Sequence, residues 1–344
     1  MEHPAITAAR DLGDRLLRPD AERVDVEGVP RSHVDALAAA GLMNVADLPG
    51  PVSRAVAEEL AAADASTWFV WTQHHSPVRT VMRGTNEAMR QTWLPRLTSG
   101  DALAGVAFTH LRRPGAPAVT ARRDGDGWLV DGDIAWLTSW GLADVFLIGA
   151  QAEQSGSDVD VVWALVDLHG HREAIAEPLQ LAAMNGTATV RLRLSGLRID
   201  DSDVVVVDPL AQWRAEDAAR TADVSAAVFG VTREAVRRLR ERDEPAAREA
   251  AQAMDVQLHQ LRSAAYALID DVPPGERVEE RLGIRAQAHA LACRATAALV
   301  AAGAGRSMLL DAPAQRLARV ALFLMVQGQT APVRAATLAA LGSQ

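Results

Sequence analysis

The chain contains no lysine; all of its 35 basic residues other than histidine are arginine. This excludes imine chemistry on a lysine amine, with or without pyridoxal phosphate. It also excludes a phosphate loop of the type that closes on a lysine. A single cysteine, Cys293, leaves no intrachain disulfide and no site built from several thiolates. No stretch of uncharged apolar residues reaches membrane-spanning length, and Met1-Glu2-His3-Pro4 opens the chain without an apolar signal segment, so a soluble, cytoplasmic protein is expected. A net charge of −9 and the lack of a basic stripe argue against nucleic acid or an anionic membrane as partner. Clusters such as Arg237-Arg238 and Arg240 are interleaved with Glu241, Asp243 and Glu244 and read as a solvated helix face.

What is present divides into three blocks, a multidomain α+β arrangement. A chain of 344 residues exceeds what one core usually organises. Residues 1–100 read as an N-terminal helical domain. Pro30–Ala40, Val52–Ala63 and Ser66–Arg83 carry apolar residues three and four apart, with Asp64 or Ser66 as N-cap of the last and Pro49-Gly50-Pro51 as a breaker. The first 25 residues, polar and rich in Arg and Asp, are expected to be partly mobile.

The period changes near Gly100-Asp101. Residues 101–210 hold seven short strand-like runs: Leu103–His110, Val119–Arg122, Trp128–Asp131, Val145–Gln151, Val159–Val166, Ala188–Leu194 and Asp203–Val207. Asp124-Gly125-Asp126-Gly127 is a hairpin turn, and Gln154–Asp158 a second turn. A compact, central antiparallel β-barrel or sandwich is predicted. From residue 211 to 344 the helical period returns in Glu216–Arg242, Pro245–Ile269, Val278–Ala302 and Ala312–Val326, separated by Pro273-Pro274-Gly275 and Gly303-Ala304-Gly305. These predict a C-terminal four-helix bundle whose alanine-rich faces allow close approach and commonly continue across a subunit interface.

Several phrases in this order resemble the acyl-CoA dehydrogenase superfamily, over roughly residues 60–335. They are Phe108-Thr109-His110; Gly132-Asp133-Ile134-Ala135-Trp136-Leu137-Thr138-Ser139 followed by Ala143-Asp144; Met184-Asn185-Gly186-Thr187; Gln315-Arg316-Leu317-Ala318-Arg319; and Gln327-Gly328-Gln329-Thr330. The resemblance implies FAD seated between barrel and bundle, an acyl-thioester or related small-molecule substrate, and a homo-oligomer, dimer or tetramer. On it, Thr109, Trp136, Thr138 and Ser139 are expected to contact the flavin, and Arg316 and Arg319, one turn apart, its phosphates. Trp136 has a second reading as filler of the barrel–helix seam, and the two arginines as partners of acidic neighbours.

The departures bear on chemistry. Gln327 stands where the family has its catalytic Glu, and an amide is no general base. The first bundle helix offers Asp217, beside Glu216 and Arg220, as a replacement. His110 takes the place of a family Glu and is a catalytic candidate or a packing residue. The Arg-x-x-Phe-Gly loop that helps hold the FAD pyrophosphate is replaced by Arg242-Asp243-Glu244-Pro245, and the Gly-Ser-Asp after the first strand is missing. An FAD-linked oxidoreductase is the leading expectation. A flavin-dependent monooxygenase of the same fold, or a non-catalytic FAD-poor subunit beside a paralogous partner, are the alternatives. His74-His75 either line a substrate pocket or pack. His169-Gly170-His171 lacks a third ligand cluster, and no metal site is expected.

Overall fold

The computed structural model describes residues 2–153 and 159–342; the predicted turn at Gln154–Asp158 lies outside them. The amino-terminal stretch, expected to be partly mobile, is helical: α1 (Pro4–Leu12) runs through a π-turn at Gly13–Leu17 into α2 (Arg18–Glu27). Its apolar residues Ala9, Leu12, Leu17, Ala21 and Val24 are buried, so packing orders a segment whose composition is polar. Helices α3 (Arg31–Ala39), α4 (Gly50–Ala63), α5 (Ala65–Arg83) and α6 (Glu87–Ser99) follow. Asp64 caps α5 by accepting from the backbone N–H groups of Ser66 and Thr67, each at 3.1 Å. Pro77 inside α5 supplies no N–H to the carbonyl of Gln73 one turn back.

The central block is an eight-stranded sheet: β1 (Ala104–Ala107), β2 (Val119–Asp124), β3 (Gly127–Leu137), β4 (Val145–Ala152), β5 (Asp160–Val166), β6 (Ala174–Pro178), β7 (Val190–Asp200) and β8 (Val204–Pro209). The order is β6-β7-β3-β2-β4-β5-β8, with β1 on β4. Most neighbours are antiparallel as expected, but β1 and β2 both run parallel to β4. β6 is exposed along much of its length, which hid it from an apolar-run reading. The first strand stops at Ala107, and Thr109–Arg112 form a 3-10 turn, so Thr109 and His110 do not lie on a strand. Gly105 makes room on β1 for the Phe146 ring of β4 and for the segment that follows β3: a Cβ there would meet the ring at 2.6 Å and the Thr138 carbonyl at 3.1 Å.

The carboxy-terminal block contains α7 (Leu210–Ala222), α8 (Ala226–Arg240), α9 (Pro245–Asp271), α10 (Val278–Gly303), α11 (Pro313–Val326) and α12 (Ala331–Gly342). Helices α8 to α11 pack on one another as the expected bundle, and α12 rests on α10. The predicted helix Glu216–Arg242 is in fact two, because the backbone turns extended at Asp223 and Ser225. Arg285 on α10 donates to the carbonyls of Thr221 and Asp223 at 2.9 and 2.8 Å, satisfying acceptors that the break leaves without helical partners. Gly230 lets α8 touch α4, since a Cβ would stand 2.3 Å from the Glu58 carbonyl. Helical and sheet blocks thus share a large apolar core, with a second cluster around Val78, Val106, Leu147, Trp163 and Trp213, and each large buried side chain is worth roughly 1.5–3 kcal/mol.

Candidate active site at the junction of helices, sheet and bundle

A cavity of about 500 Å³ opens where α5, β1, the 3-10 turn, α7, α10 and the α11–α12 connection meet. One wall is aromatic. Trp213 of α7 makes an edge contact with Phe108 at 5.8 Å and a tilted one with Trp163 of β5 at 5.9 Å. The polar part of the lining includes five arginines, Arg79 and Arg83 from α5, Arg112 from the 3-10 turn, Arg220 from α7 and Arg285 from α10.

Of the expected catalytic residues, the structure brings Gln327 and Asp217 to this cavity. Gln327 terminates α11, and its backbone carbonyl accepts from Arg285 at 2.7 Å. Asp217 is buried, and Arg112 grips both carboxylate oxygens, Nε to Oδ2 at 2.7 Å and Nη2 to Oδ1 at 2.9 Å. The other two carboxylates also stand beside arginines. Asp223 pairs with Arg281 at 2.5 Å and Glu216 lies 3.7 Å from Arg220. No carboxylate of the cavity wall is left without a cationic neighbour.

His110 is elsewhere. Its buried ring donates from Nε2 to the Gly149 carbonyl at 2.7 Å, inside the sheet, and Nδ1 has no partner. Burial pushes its pKa down to about 4, so it is neutral near pH 7. His74 is similarly fixed: Nε2 donates to the Leu97 carbonyl and Nδ1 accepts from the Ala104 N–H, each at 3.0 Å. His75 stacks edge-on to Trp71 at 4.4 Å, buried and unpaired. His169 packs on Trp140 and bonds the Ala143 carbonyl, and among the described residues no three His, Cys, Asp or Glu side chains converge on a metal position.

The residues expected to seat a flavin gather at the end of β3, which packs against the 3-10 turn carrying Thr109. Trp136 is half exposed there, although Leu137, Thr138 and Ser139 after it are buried. Thr138 shares a hydroxyl chain with Thr189 at 3.2 Å, and Thr189 with Thr187 at 2.8 Å. Ser139 adopts a left-handed backbone, φ 70°, while its N–H donates to the Thr187 carbonyl at 2.9 Å; its buried hydroxyl has no partner. This loop is held by Gly186, where a Cβ would sit 2.1 Å from the Val24 carbonyl of α2. An exposed aromatic face, a hydroxyl row and an unpaired buried hydroxyl fit a planar, hydrogen-bonding ring system such as a flavin.

Arg316 and Arg319 serve another connection. Both sit on the face of α11 that meets α2, where Arg316 bonds Glu22 at 3.2 Å and Arg319 bonds Asp25 at 2.6 Å. Sequence spacing placed them on one helix face and did not reveal the acidic partners some 294 residues away. A second basic cavity, about 370 Å³, contains Arg238, Arg242 and Arg306 near the ends of α8 and α10. Of these, Arg238 bonds Glu234 at 2.6 Å, while Arg242 and Arg306 make no side-chain hydrogen bond or ion pair with a described residue.

A family model for the acyl-CoA dehydrogenase N-terminal domain matches residues 2–101. The chain is 23% identical to the human mitochondrial short-chain specific acyl-CoA dehydrogenase over 214 residues, 58% of this chain and 52% of that protein. It is 29% identical to the bovine protein of the same name over 160 residues, 42% of this chain and 39% of the relative. The chain thus spans about half the length, or less, of these curated relatives. Among solved structures, butyryl-CoA dehydrogenase from Megasphaera elsdenii superposes with a TM-score of 0.78 at 17% identity, covering 98% of this chain and 97% of that one. A glutaryl-CoA dehydrogenase from Mycobacterium smegmatis in complex with FADH2 gives 0.79 at 19%, covering 99% and 94%. Dibenzothiophene monooxygenase from Paenibacillus gives 0.77 at 17%, covering 100% and 98%.

Proposed function

Since the chain belongs to the acyl-CoA dehydrogenase superfamily, we propose that it is an FAD-linked oxidoreductase whose small-molecule or acyl-thioester substrate enters the cavity between α5, α7 and the α11–α12 connection. The observation that carries this reading is the placement of Gln327 and Asp217 in one wall of a ligand-sized cavity lined by aromatic side chains. Trp136, Thr138, Ser139 and Thr109 are proposed to hold the flavin ring, with Arg238, Arg242 and Arg306 as a phosphate-binding group. When bound, the flavin supplies a two-electron acceptor and donor. The chain's own residues orient the substrate: the Phe108, Trp163 and Trp213 wall excludes water, and the arginines fix a polar end. A homo-oligomer assembled through the bundle is part of the proposal. No helix is long and apolar enough to cross a membrane, among the described residues.

A second reading within the same fold rests on the carboxylates. Gln327 offers no base, and Asp217 would have to leave Arg112 before taking a proton. Only Glu216, half exposed and 3.7 Å from Arg220, is left as a carboxylate free to abstract an acidic C–H proton. Flavin monooxygenase chemistry needs no such base, so oxygen-dependent turnover is the form of the activity that these residues favour over thioester desaturation. The decisive measurement is the visible spectrum of purified protein after incubation with FAD and removal of free flavin. Retained, protein-bound flavin absorbance supports an oxidoreductase; a colourless protein that takes up no FAD sinks it, and favours the subunit role beside a flavin-bearing paralogue. Oxygen uptake with a flavin reductase and substrate then separates the two chemistries.

A further inference from the structure

The charge of the junction cavity is out of keeping with the molecule around it. The protein carries −9 overall, yet this cavity presents five guanidinium groups against three carboxylates. Following each donor shows where the surplus lies. Arg112 is held by Asp217, and Arg83 bonds Asp208 through both terminal nitrogens. Arg285 gives its terminal nitrogens to the carbonyls of Thr221, Asp223 and Gln327. Arg79 and Arg220 remain. Arg79 makes no hydrogen bond or ion pair with any described residue, although its side chain keeps contact with solvent in the cavity. Arg220 has only Glu216 at 3.7 Å, beyond hydrogen-bond reach.

Two guanidinium groups that face one cavity with their donors unspent favour an anion. Desolvation in the cavity, and then the charge of Arg220, holds Arg79 below the ordinary guanidinium range even though both side chains reach solvent, and a bound anion would relieve the like-charge contact. The fork of an arginine matches a carboxylate in two-point fashion, which an ammonium group does not. Val106, Phe108, Trp163 and Trp213 form an apolar, aromatic patch of the wall, and Thr72, Gln73, Ser76 and Thr80 add neutral polar groups beside it. The cavity is therefore amphipathic, with a cationic pole and a ring-sized apolar wall.

We propose that Arg79 and Arg220 form a carboxylate-recognition site, making the preferred substrate an organic acid with an aromatic or bulky apolar body and its acid group unesterified at that end. This specifies the substrate class of the cavity assigned above and rests on that assignment for its catalytic meaning, but anion binding itself requires no flavin. The two guanidinium groups act as specificity determinants and not as catalytic residues.

The test uses 3-phenylpropionate, its neutral amide 3-phenylpropanamide and inorganic phosphate as probes. Binding to the full chain is followed by calorimetry and by quenching of tryptophan fluorescence, with bound flavin quantified by absorbance in the same samples. The acid is expected to bind about ten-fold or more tightly than the amide, the loss associated with one charged hydrogen bond. Arg79→Gln and Arg220→Gln should each remove most of that preference while the amide binds as before, and unchanged circular dichroism and amide affinity show that the cavity is intact. Equal affinity for acid and amide in the parent protein overturns the proposal. So does a preference that survives both substitutions, or tighter binding of phosphate than of the acid, which would make the site one for a phosphate handle. Loss of flavin uptake with acid selectivity retained would overturn the oxidoreductase reading and leave this site standing.

Discussion

Arg112 and Asp217 meet in a two-point pair, guanidinium Nε and Nη2 against the two carboxylate oxygens at 2.7 and 2.9 Å, across 105 residues of sequence. The pair ties the 3-10 turn after β1 to α7, and so fixes the mouth of the cavity between sheet and bundle. Arg112 also lies over the Phe108 ring, its guanidinium carbon 5.2 Å from the centroid. Asp217 is thereby a structural anchor as well as a wall residue.

Asp217→Asn leaves the partly buried Arg112 charge without its counter-ion. The expected cost is about 3 kcal/mol in urea unfolding, since breaking one side of a largely buried pair strands the other. Replacing both, Arg112→Met with Asp217→Leu, should cost clearly less than the single change. If Asp217→Asn is within error of the parent protein, the pair is not an anchor.

Gln327→Glu introduces a carboxylate at the one cavity position where the superfamily resemblance expects a base. With flavin and an acyl-thioester substrate supplied anaerobically, substrate-dependent flavin bleaching should rise at least about a hundred-fold. No gain would mean that the cavity does not present the thioester α-carbon to residue 327.

Trp136 is half exposed, so removing it should hardly disturb the fold. Trp136→Ala is expected to change stability by no more than about 0.5 kcal/mol. Thr138→Val breaks the hydroxyl chain to Thr189 and Thr187. Either change should weaken FAD uptake about ten-fold in equilibrium dialysis, the loss of roughly one good contact. Normal flavin binding in both variants would remove the β3 end as the flavin seat.

Arg316→Met tests the α2–α11 contact from the other direction. The guanidinium is fully buried with two nitrogens unpaired and a single bond to Glu22. Flavin affinity should be unaffected, while stability shifts by about 1–3 kcal/mol in either direction, because loss of the Glu22 bond opposes relief of unpaired donors. A selective loss of flavin would restore Arg316 to the cofactor site.

His74 and His110 make stability fall in mild acid. Both have native pKa values near 4 because they are buried, against 6.5 for the ordinary side chain. The unfolded chain therefore takes up protons that the native state refuses, and stability declines as pH falls from about 6.5 to about 4, by roughly 3 kcal/mol for each histidine. Urea midpoints across this range should show the decline, and His110→Asn should flatten part of it. A pH-independent midpoint between these limits would contradict the burial argument.

Local regularities were readable without coordinates. The helices of α3, α4 and α5, the hairpin between β2 and β3, and the bundle segments follow from apolar spacing and from glycine and proline punctuation. The break between α7 and α8 was not readable, because the interval Asp223-Val224-Ser225 contains no glycine or proline and is stabilised by Arg281 and Arg285 from α10. The edge strand β6 escaped for the opposite reason, since its exposure leaves no apolar run. The polar helix α2 is held by long-range pairing with α11, which composition does not express.

The sequence alone determined which chemical groups exist: no lysine to form an imine, an amide at position 327, and 35 arginines set among 44 carboxylates. Tertiary structure decided which of them meet. It withdrew His110 into the sheet, committed Arg316 and Arg319 to α2, and clamped Asp217 with Arg112. It also left Arg79 and Arg220 with donors to spare beside an aromatic wall. The physical reason is that helix and strand periods are local properties, whereas the pairing of a buried charge is settled by whichever partner the fold brings within about 3 Å.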